Sequence, residues 1–541
     1  MPVRTRRLTG TLAALLVAGV WAVVLFQSVF VHMLWEDEAF NLTVVRNLVD
    51  GLGYTSDGAL SGNHLAPFDA RISTGPVVLL PAALLHWLGI DLVLSGRLVV
   101  AGYALALAVG LYVLGVRIQH AGFVGRPVSS MGADSSRVRG DISWVGLVAA
   151  LVPLTFDTWL TVSPIQGPAD VLGEFPAAAL LVWALVVLPR RPGLAGLLVG
   201  LAVQSKLVTL LAVPGLVIAV LLQSGTMRTR LGRVSHAGVM AMIPTALYEF
   251  WVLLTLGWWS YRYEHVRGLV AFVLRGYDSG TSRVDKLRLF AEAWFLPPAI
   301  VAALGVLVLG SGVVLSWRKA RSRAQNDGRR VRSGLVRLGP RATVAVAALI
   351  GALSYPLWWV NSTATPLWIR HPALGVITFV PVVFTAVLAL LGEAISRAGG
   401  GHEQDASDDV DAPAGRGMWA AAIAVVIVAG VGAQCAGYVR GQVAQPAVFT
   451  LDEQRVEAEA LRPSADAIAV PWGLTVSMGV LTGAHVVNLD VLADREDVGT
   501  ETYEQDASTV QGVERILPAG DTSCGTPLAQ AAHFQRCQAV L

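Results

Sequence analysis

"MLWEDEAFNLTVVRNLVDGLGY", residues 33–54, places three adjacent carboxylates, Glu36, Asp37 and Glu38, where an apolar run over residues 8–31 ends. A helix needs about 20 apolar residues to cross hydrocarbon, so the run reads as a first membrane span. The basic "MPVRTRR" before it keeps the N-terminus inside, and the run is too long for a typical cleaved leader, so the acidic stretch emerges on the outer face. Like charges packed at a membrane surface repel one another, and their presence there asks for a use.

The rest of the chain has the same character. Of 541 residues, 54% are hydrophobic and only 14% charged, with 16 tryptophans, which is far more apolar than a soluble domain needs. The class is a polytopic membrane protein, all-α in its spans. The net charge of +2 comes from basic residues in blocks between apolar runs, a topology signal that gives no indication of a nucleic-acid partner.

Arginine-rich loops fix the parity of the spans. The loop over 117–139 carries Arg117, Arg126, Arg137 and Arg139, so only one of the two apolar pieces before it crosses. Residues 76–90 are expected as a short helix at the outer surface and 93–116 as the second span. Further spans follow at 143–163 and 174–189. Two short helices within 194–222, hinged at "QSK", put Lys206 near the outer face. The remaining spans fall at 237–257, 296–316, 342–360, 372–391 and 418–438, about 11 in all. Residues 1–439 thus form a transmembrane domain whose first outer loop, 32–92, carries the acidic motif. The polar, Gly/Asp-rich stretch 392–417 reads as a disordered cytoplasmic linker.

The tail, 440–541, is expected outside as a small α/β domain, because "ADAIAVPWG" and "AHVVNLDVL" look like short buried strands between helical stretches. It holds Cys524 and Cys537, which pair if the compartment is oxidising and stay as free thiols if it is reducing.

Ionisable residues near the membrane cluster at the outer face. The first loop supplies Glu36, Asp37, Glu38, His64, Asp69 and Arg71; the second supplies Asp170 and Glu174; the loop before 372 supplies Arg370 and His371. A group of carboxylates suits general-base work on a hydroxyl or amine, and an arginine beside it steadies a phosphate. Each residue also has a plain structural reading. Asp37, Asp170 and Glu174 can cap helices, Glu36 can be a solvated neighbour, and Glu38 a first-turn charge. Arg370 with His371 can anchor at the interface, and Lys206, one of three lysines beside 37 arginines, can snorkel. No HExxH, CxxC pair or calcium-loop spacing occurs, so no tightly bound metal is expected, while a loosely held divalent cation is compatible with the carboxylates. No Walker or dinucleotide glycine motif occurs either.

"WEDEAFNLTVVRNLVDGLGY", "ISTGPVVLLPAALLHWLGI" and "SGRLVVAGYALALAVGLYVLGVRI" together resemble the opening of the GT-C membrane glycosyltransferases, nearest the protein O-mannosyltransferase and lipid A aminoarabinose transferase groups. The resemblance implies that Asp37 and Glu38 stand for the family's Asp-Glu pair, with Asp37 as catalytic base, and that Asp170 is its second acidic position. "GLLVGLAVQSK" is similar to the stretch that ends in the family's lysine, here Lys206, and "WIRHP" to an Arg-aromatic motif near the donor phosphate, here Arg370 and His371. "STGP" stands where the family has Lys-Pro-Pro or His-Pro-Pro, and the tail after 440 is not covered by the likeness.

The reading is an inverting glycosyltransferase in the cell membrane, moving a sugar from a polyprenyl-phosphate donor in the bilayer to an extracytoplasmic acceptor. Glu38 and Asp170 stand with Asp37 as catalytic candidates. Arg370, His371, Lys206 and Arg71 are candidates for the donor phosphate, and Glu36, Glu174, His64 and Asp69 for the pocket wall. Two other classes remain in view: a secondary transporter, which calls for mid-membrane charges and broken helices in matching halves, and a non-catalytic sugar-lipid binding scaffold.

Overall fold

The computed structural model describes residues 3–57, 66–67, 74–120, 142–155, 165, 167–223, 225–270, 281–292, 340–362, 365–399, 415–444, 449–464, 466–489 and 513–538. Helix α1, Val3–Phe26, runs on as a π-helical turn, Gln27–Val31. An extended elbow follows, and α2, Glu36–Val49, starts with all three acidic residues in its first turn. Its N-cap, Trp35, offers no side-chain acceptor, so the carboxylates bring negative charge to the electropositive helix start. Ten of the 14 residues of α2 are buried, so it is a packed element of the core.

Helix α3, Pro76–Trp87, begins with proline at its first turn, which suits a helix start. At 12 residues it is about 18 Å long, too short to span, and it leaves Leu80, Leu84 and Trp87 exposed. The bundle continues with α4 (Leu92–His120), α5 (Trp144–Leu151), α6 (Glu174–Val187), α7 (Pro192–Val203), α8 (Val213–Leu221), α9 (Met227–Ser260), α10 (Arg283–Glu292), α11 (Pro340–Asn361), α12 (Arg370–Gly399) and α13 (Gly415–Ala444). Helix α12 lies at the centre, against α4, α5, α6, α11 and α13, and 89% of its apolar window is buried. Among the described residues six helices are long and apolar enough to cross a membrane by length and composition, and five more are shorter and apolar.

Several boundaries differ from expectation. Helix α9 starts ten residues before the expected span because Thr226 caps it, accepting the Thr229 N–H, and it carries Arg228, Arg230 and Arg233 inside the helix. It runs on past Trp258 and Trp259 through a kink at Gly257, whose φ of 75° suits glycine. Helix α12 continues to Gly399, so residues 392–399 are helical where a linker was expected; "EAIS" is good helix-forming sequence. Residues 400–414 and the expected span 296–316 lie outside the described residues.

The tail builds a five-stranded sheet. Strands β1 (Thr55–Ser56) and β2 (Ala66–Pro67) form a small pair in the first loop. In the tail come α14 (Leu451–Ala460), β3 (Ala467–Val470), α15 (Leu474–Leu481), β4 (His485–Asn488), β5 (Arg515–Pro518), β6 (Pro527–Gln530) and β7 (Phe534–Cys537), ordered β4-β3-β5-β7-β6. Parallel neighbours need a crossover, which α15 supplies between β3 and β4. Their inward side chains, Ile468, Val470 and Val486, are buried. Cys524 and Cys537 are bonded, with Cα atoms 5.3 Å apart. Cys435 is a buried free thiol in α13.

Candidate active site

The site forms where the elbow and α2 meet α4, the loop before α6, and the start of α12. On its inner side stands Arg97 of α4, which is fully buried. Its Nε and Nη2 donate to the two oxygens of Glu38, each at 2.8 Å, while Nη1 donates to the His32 carbonyl at 2.8 Å and Nη2 to that of Met33 at 2.9 Å. A longer contact reaches the Val29 carbonyl at 3.4 Å, so every donor of the guanidinium is used inside the protein. Glu38 Oε1 also accepts the Val171 N–H at 3.3 Å. Glu38 therefore fastens α2 to α4 and to the loop that leads into α6.

Asp170 belongs to that sealed side. It is 2% exposed, its Oδ2 accepts the Gly167 N–H at 3.1 Å, and it lies within electrostatic reach of Arg97. Asn41, one turn along α2 from Asp37 and Glu38, donates to the Val171 carbonyl at 2.8 Å and to Thr74 at 3.1 Å, closing the same seam.

Asp37, about 100° further round the helix from Glu38, faces the other way. Its Oδ2 accepts from Nη1 of Arg370, with side-chain exposures of 23% and 11% for the pair. Arg370 is the first residue of α12, and a cation at a helix N-terminus opposes the macrodipole; a nearby anion offsets that cost. The guanidinium lies over the rings of Trp35 at 5.4 Å and Trp368 at 4.7 Å, so its planar faces are covered by aromatic surface while its edge meets Asp37. His371 stacks on Trp368 at 5.6 Å and meets Trp358 edge-on at 6.0 Å. Its Nε2 is buried with no hydrogen-bond partner among the described residues. Glu36 completes the group, and its carboxyl lies above its usual range: burial raises it most, the Asp37 charge adds to this, and Arg370 pulls the other way.

Lys206 occupies the break between α7 and the 3₁₀ turn Leu207–Ala212, where it forms an ion pair with Glu174 at 2.7 Å. The hinge passes between Gly75 and Gly173, where a Cβ would run into the backbone carbonyls of Gln204 and Ser205. Gly75 instead donates its N–H to Ser205 at 3.1 Å. Lys206, Arg370 and Lys286 of α10 all lie within electrostatic reach of His371. Lys286 is itself buried and gathers the Trp359 and Ser362 carbonyls, at 3.2 and 2.6 Å, and the Thr365 hydroxyl, at 2.9 Å, which orders the segment leading to Trp368 and Arg370.

The expected residues thus fall into an open group of Glu36, Asp37, Arg370 and His371, a sealed group of Glu38 and Asp170, and the Glu174–Lys206 pair. His64, Asp69 and Arg71 lie outside the described residues.

By sequence, no known protein family and no curated protein matches. By structure, ArnT from Cupriavidus metallidurans bound to undecaprenyl phosphate superposes at a TM-score of 0.53 and 14% identity, over 98% of this chain and 97% of that one. The Archaeoglobus fulgidus oligosaccharyltransferase in its apo form gives 0.50 at 12% identity, over 95% of this chain and 69% of that one. Its complex with Zn and sulfate gives 0.50 at 11% identity, over 93% and 67%. Both proteins are GT-C glycosyltransferases. The chain has the GT-C fold. The match to ArnT runs nearly end to end, so it takes in the tail that the sequence resemblance leaves out.

The metal in one of these GT-C structures raises the question of whether this site fits a divalent ion. Glu38 spends both oxygens on Arg97, Asp37 faces Arg370 and Glu174 faces Lys206, so three of the carboxylates of the site already have a cation. Among the described residues no three His, Cys, Asp or Glu side chains gather as a ligand set. Among the described residues, this arrangement does not fit a metal.

Arg97, Lys286, Trp35 and Trp368 were not singled out from the sequence. Arg97 had a readable signal: it is a lone charge inside "LVLSGRLVVAGYALALAVGLYVLGV", and a charge in a span marks a partner or a site.

Proposed function

We propose that this GT-C protein is an inverting glycosyltransferase that uses a polyprenyl-phosphate sugar, with Asp37 as general base and Arg370 as the cation for the leaving phosphate. The observation that carries the reading is the Asp37–Arg370 pair, left partly exposed between tryptophans at the end of the membrane helices. Undecaprenyl phosphate bound to ArnT, a protein of the same fold, supports a polyprenyl-phosphate donor here. The lipid tail stays in the bilayer, and the phosphate reaches Arg370 at the interface.

The chemistry follows from charge. Asp37 takes the proton of an acceptor hydroxyl or amine as that atom attacks the anomeric carbon. The bond from that carbon to the phosphate oxygen breaks, and the electron pair leaves with the polyprenyl phosphate. Its growing negative charge is met by Arg370, whose planar fork can serve two oxyanions at once. Lys206 adds positive potential from across the site. Trp368, half-buried beside Arg370, suits an apolar face of a sugar, and the buried Trp35 excludes water. Arginine-rich loops support an inside N-terminus, and the bonded cysteines support a tail in an oxidising exterior.

The test is to purify the protein with its native lipid and identify the lipid-linked sugar by mass spectrometry. That lipid is then incubated with envelope acceptors, and release of free polyprenyl phosphate is followed. The account predicts release coupled to acceptor glycosylation, with inversion at the anomeric carbon. Binding without release with every acceptor would leave only a sugar-lipid scaffold.

A further inference from the structure

The elbow that aims Asp37 is held from two sides, and one of them is the tail. Residues 33–35 belong to no helix or strand, and Leu34 is fully buried. Arg97 takes the carbonyls of His32 and Met33 from the α4 side. From the opposite side comes Gln454 of α14, also fully buried and 420 residues away in sequence. Its Oε1 accepts the Leu34 N–H at 2.5 Å, and its Nε2 donates to the Leu34 carbonyl at 2.8 Å.

A carboxamide offers a donor and an acceptor side by side, so Gln454 reproduces the pairing one strand residue gives another. The capping box of α14, in which Thr450 and Glu453 bond reciprocally, fixes the helix that presents it. The tail grips α2 further along as well. Arg46 donates to the Ala484 carbonyl at 2.8 Å, Phe40 meets Trp472 at 6.2 Å, and Asp57, after α2, accepts the Val486 N–H at 2.8 Å.

We propose that Gln454 is a positioning residue that sets the start of α2, and through it the placement of Asp37 against Arg370, making the tail a working part of the site. The proposal rests on the reading of Asp37 as the base. Leu34 lies three residues before Asp37, so a change of elbow angle passes directly into the carboxylate. A misplacement of about 1 Å at a reacting group costs on the order of 10²-fold in rate.

The experiment uses the full chain in detergent or nanodiscs and the donor lipid purified with it. Gln454→Leu removes both hydrogen bonds at similar size, and Val456→Ala, an exposed neighbour on the same helix, is the control. The proposal expects kcat for Gln454→Leu to fall roughly 10- to 100-fold with the donor KM changed less than about threefold. Hydrogen exchange at Leu34 speeds up by an order of magnitude or more, roughly as expected for a lost buried hydrogen bond. Val456→Ala leaves all three readings unchanged. If Gln454→Leu does not accumulate folded, Gln454→Glu keeps the acceptor for the Leu34 N–H and gives the same readings in reduced size. Wild-type kcat in Gln454→Leu, or a loss that only follows the folded fraction, overturns the proposal. Failure of the base reading looks different: Asp37→Asn itself then transfers normally, although Gln454→Leu still deprotects Leu34.

Discussion

Glu38 and Asp37 are neighbours on one helix and each faces an arginine, yet the two pairs sit in opposite surroundings. The Glu38–Arg97 pair has no exposed side-chain surface and spends its hydrogen bonds inside the protein. The Asp37–Arg370 pair keeps 23% and 11% of its side chains accessible and lies between aromatic rings. A sealed ion pair with no unused donor holds elements together; a pair at an opening, with a cation that can serve a second oxyanion, is equipped for a ligand. The α-helix turns by about 100° per residue, which is enough to send adjacent carboxylates to these two duties.

The comparison breaks first if the sealed pair proves dispensable. Arg97→Met leaves Glu38 buried without its cation and strips two elbow carbonyls, and is expected to destabilise the fold by about 3–5 kcal/mol, read as loss of monodisperse protein and a fall in Tm. Arg370→Ala is expected to do the reverse: it lowers transfer by roughly 10²- to 10³-fold, while stability falls less than in Arg97→Met, because Asp37 is left partly exposed to solvent rather than sealed. Similar stability losses for both variants in thermal melts would erase the distinction.

A third arginine–carboxylate pair sharpens it. Asp57 is fully buried against Arg46 at 2.5 Å, with His485 at 3.1 Å. Burial pushes its carboxyl up, but His485, Arg46 and the Val486 N–H together bring it below the usual range. A carboxyl depressed on folding stabilises above its unfolded pKa of about 3.9, and that stability drains away as pH falls through the folded value. Wild-type Tm is therefore expected to drop on acidification below about pH 4 more steeply than that of Asp57→Asn, which starts lower at neutral pH. Parallel curves would remove Asp57 from the seam between α2 and the tail.

The smallest effect belongs to Glu36. Its carboxyl is raised by burial and by Asp37, so ionising it costs the folded state once pH passes its unfolded pKa of about 4.3. Glu36→Gln is expected to raise Tm slightly at pH 7, to leave it unchanged at pH 4, and to alter transfer by about twofold or less. A large loss of transfer would move Glu36 into the reacting group.

Apolar runs and arginine blocks made the membrane class, the short helix before α4 and the break at Lys206 legible, because hydrophobic length and charge placement are local properties. The acidic stretch, with "WIRHP", also pointed to residues that meet in space, Asp37 and Arg370. Which carboxylate faces inward was not legible. That depends on Arg97, 59 positions from Glu38, and on helix phase relative to neighbours that only packing fixes. Gln454 was hidden for the same reason: a glutamine on a polar tail helix carries no sign that it reaches back 420 residues to Leu34.

The central claim is that the open pair carries the reaction, and the most direct measurement is transfer by Asp37→Asn, made on folded protein that still binds the polyprenyl-phosphate sugar. The account predicts that transfer falls by roughly 10²- to 10⁴-fold while Tm and donor binding stay near wild type. Wild-type transfer by that variant would contradict it.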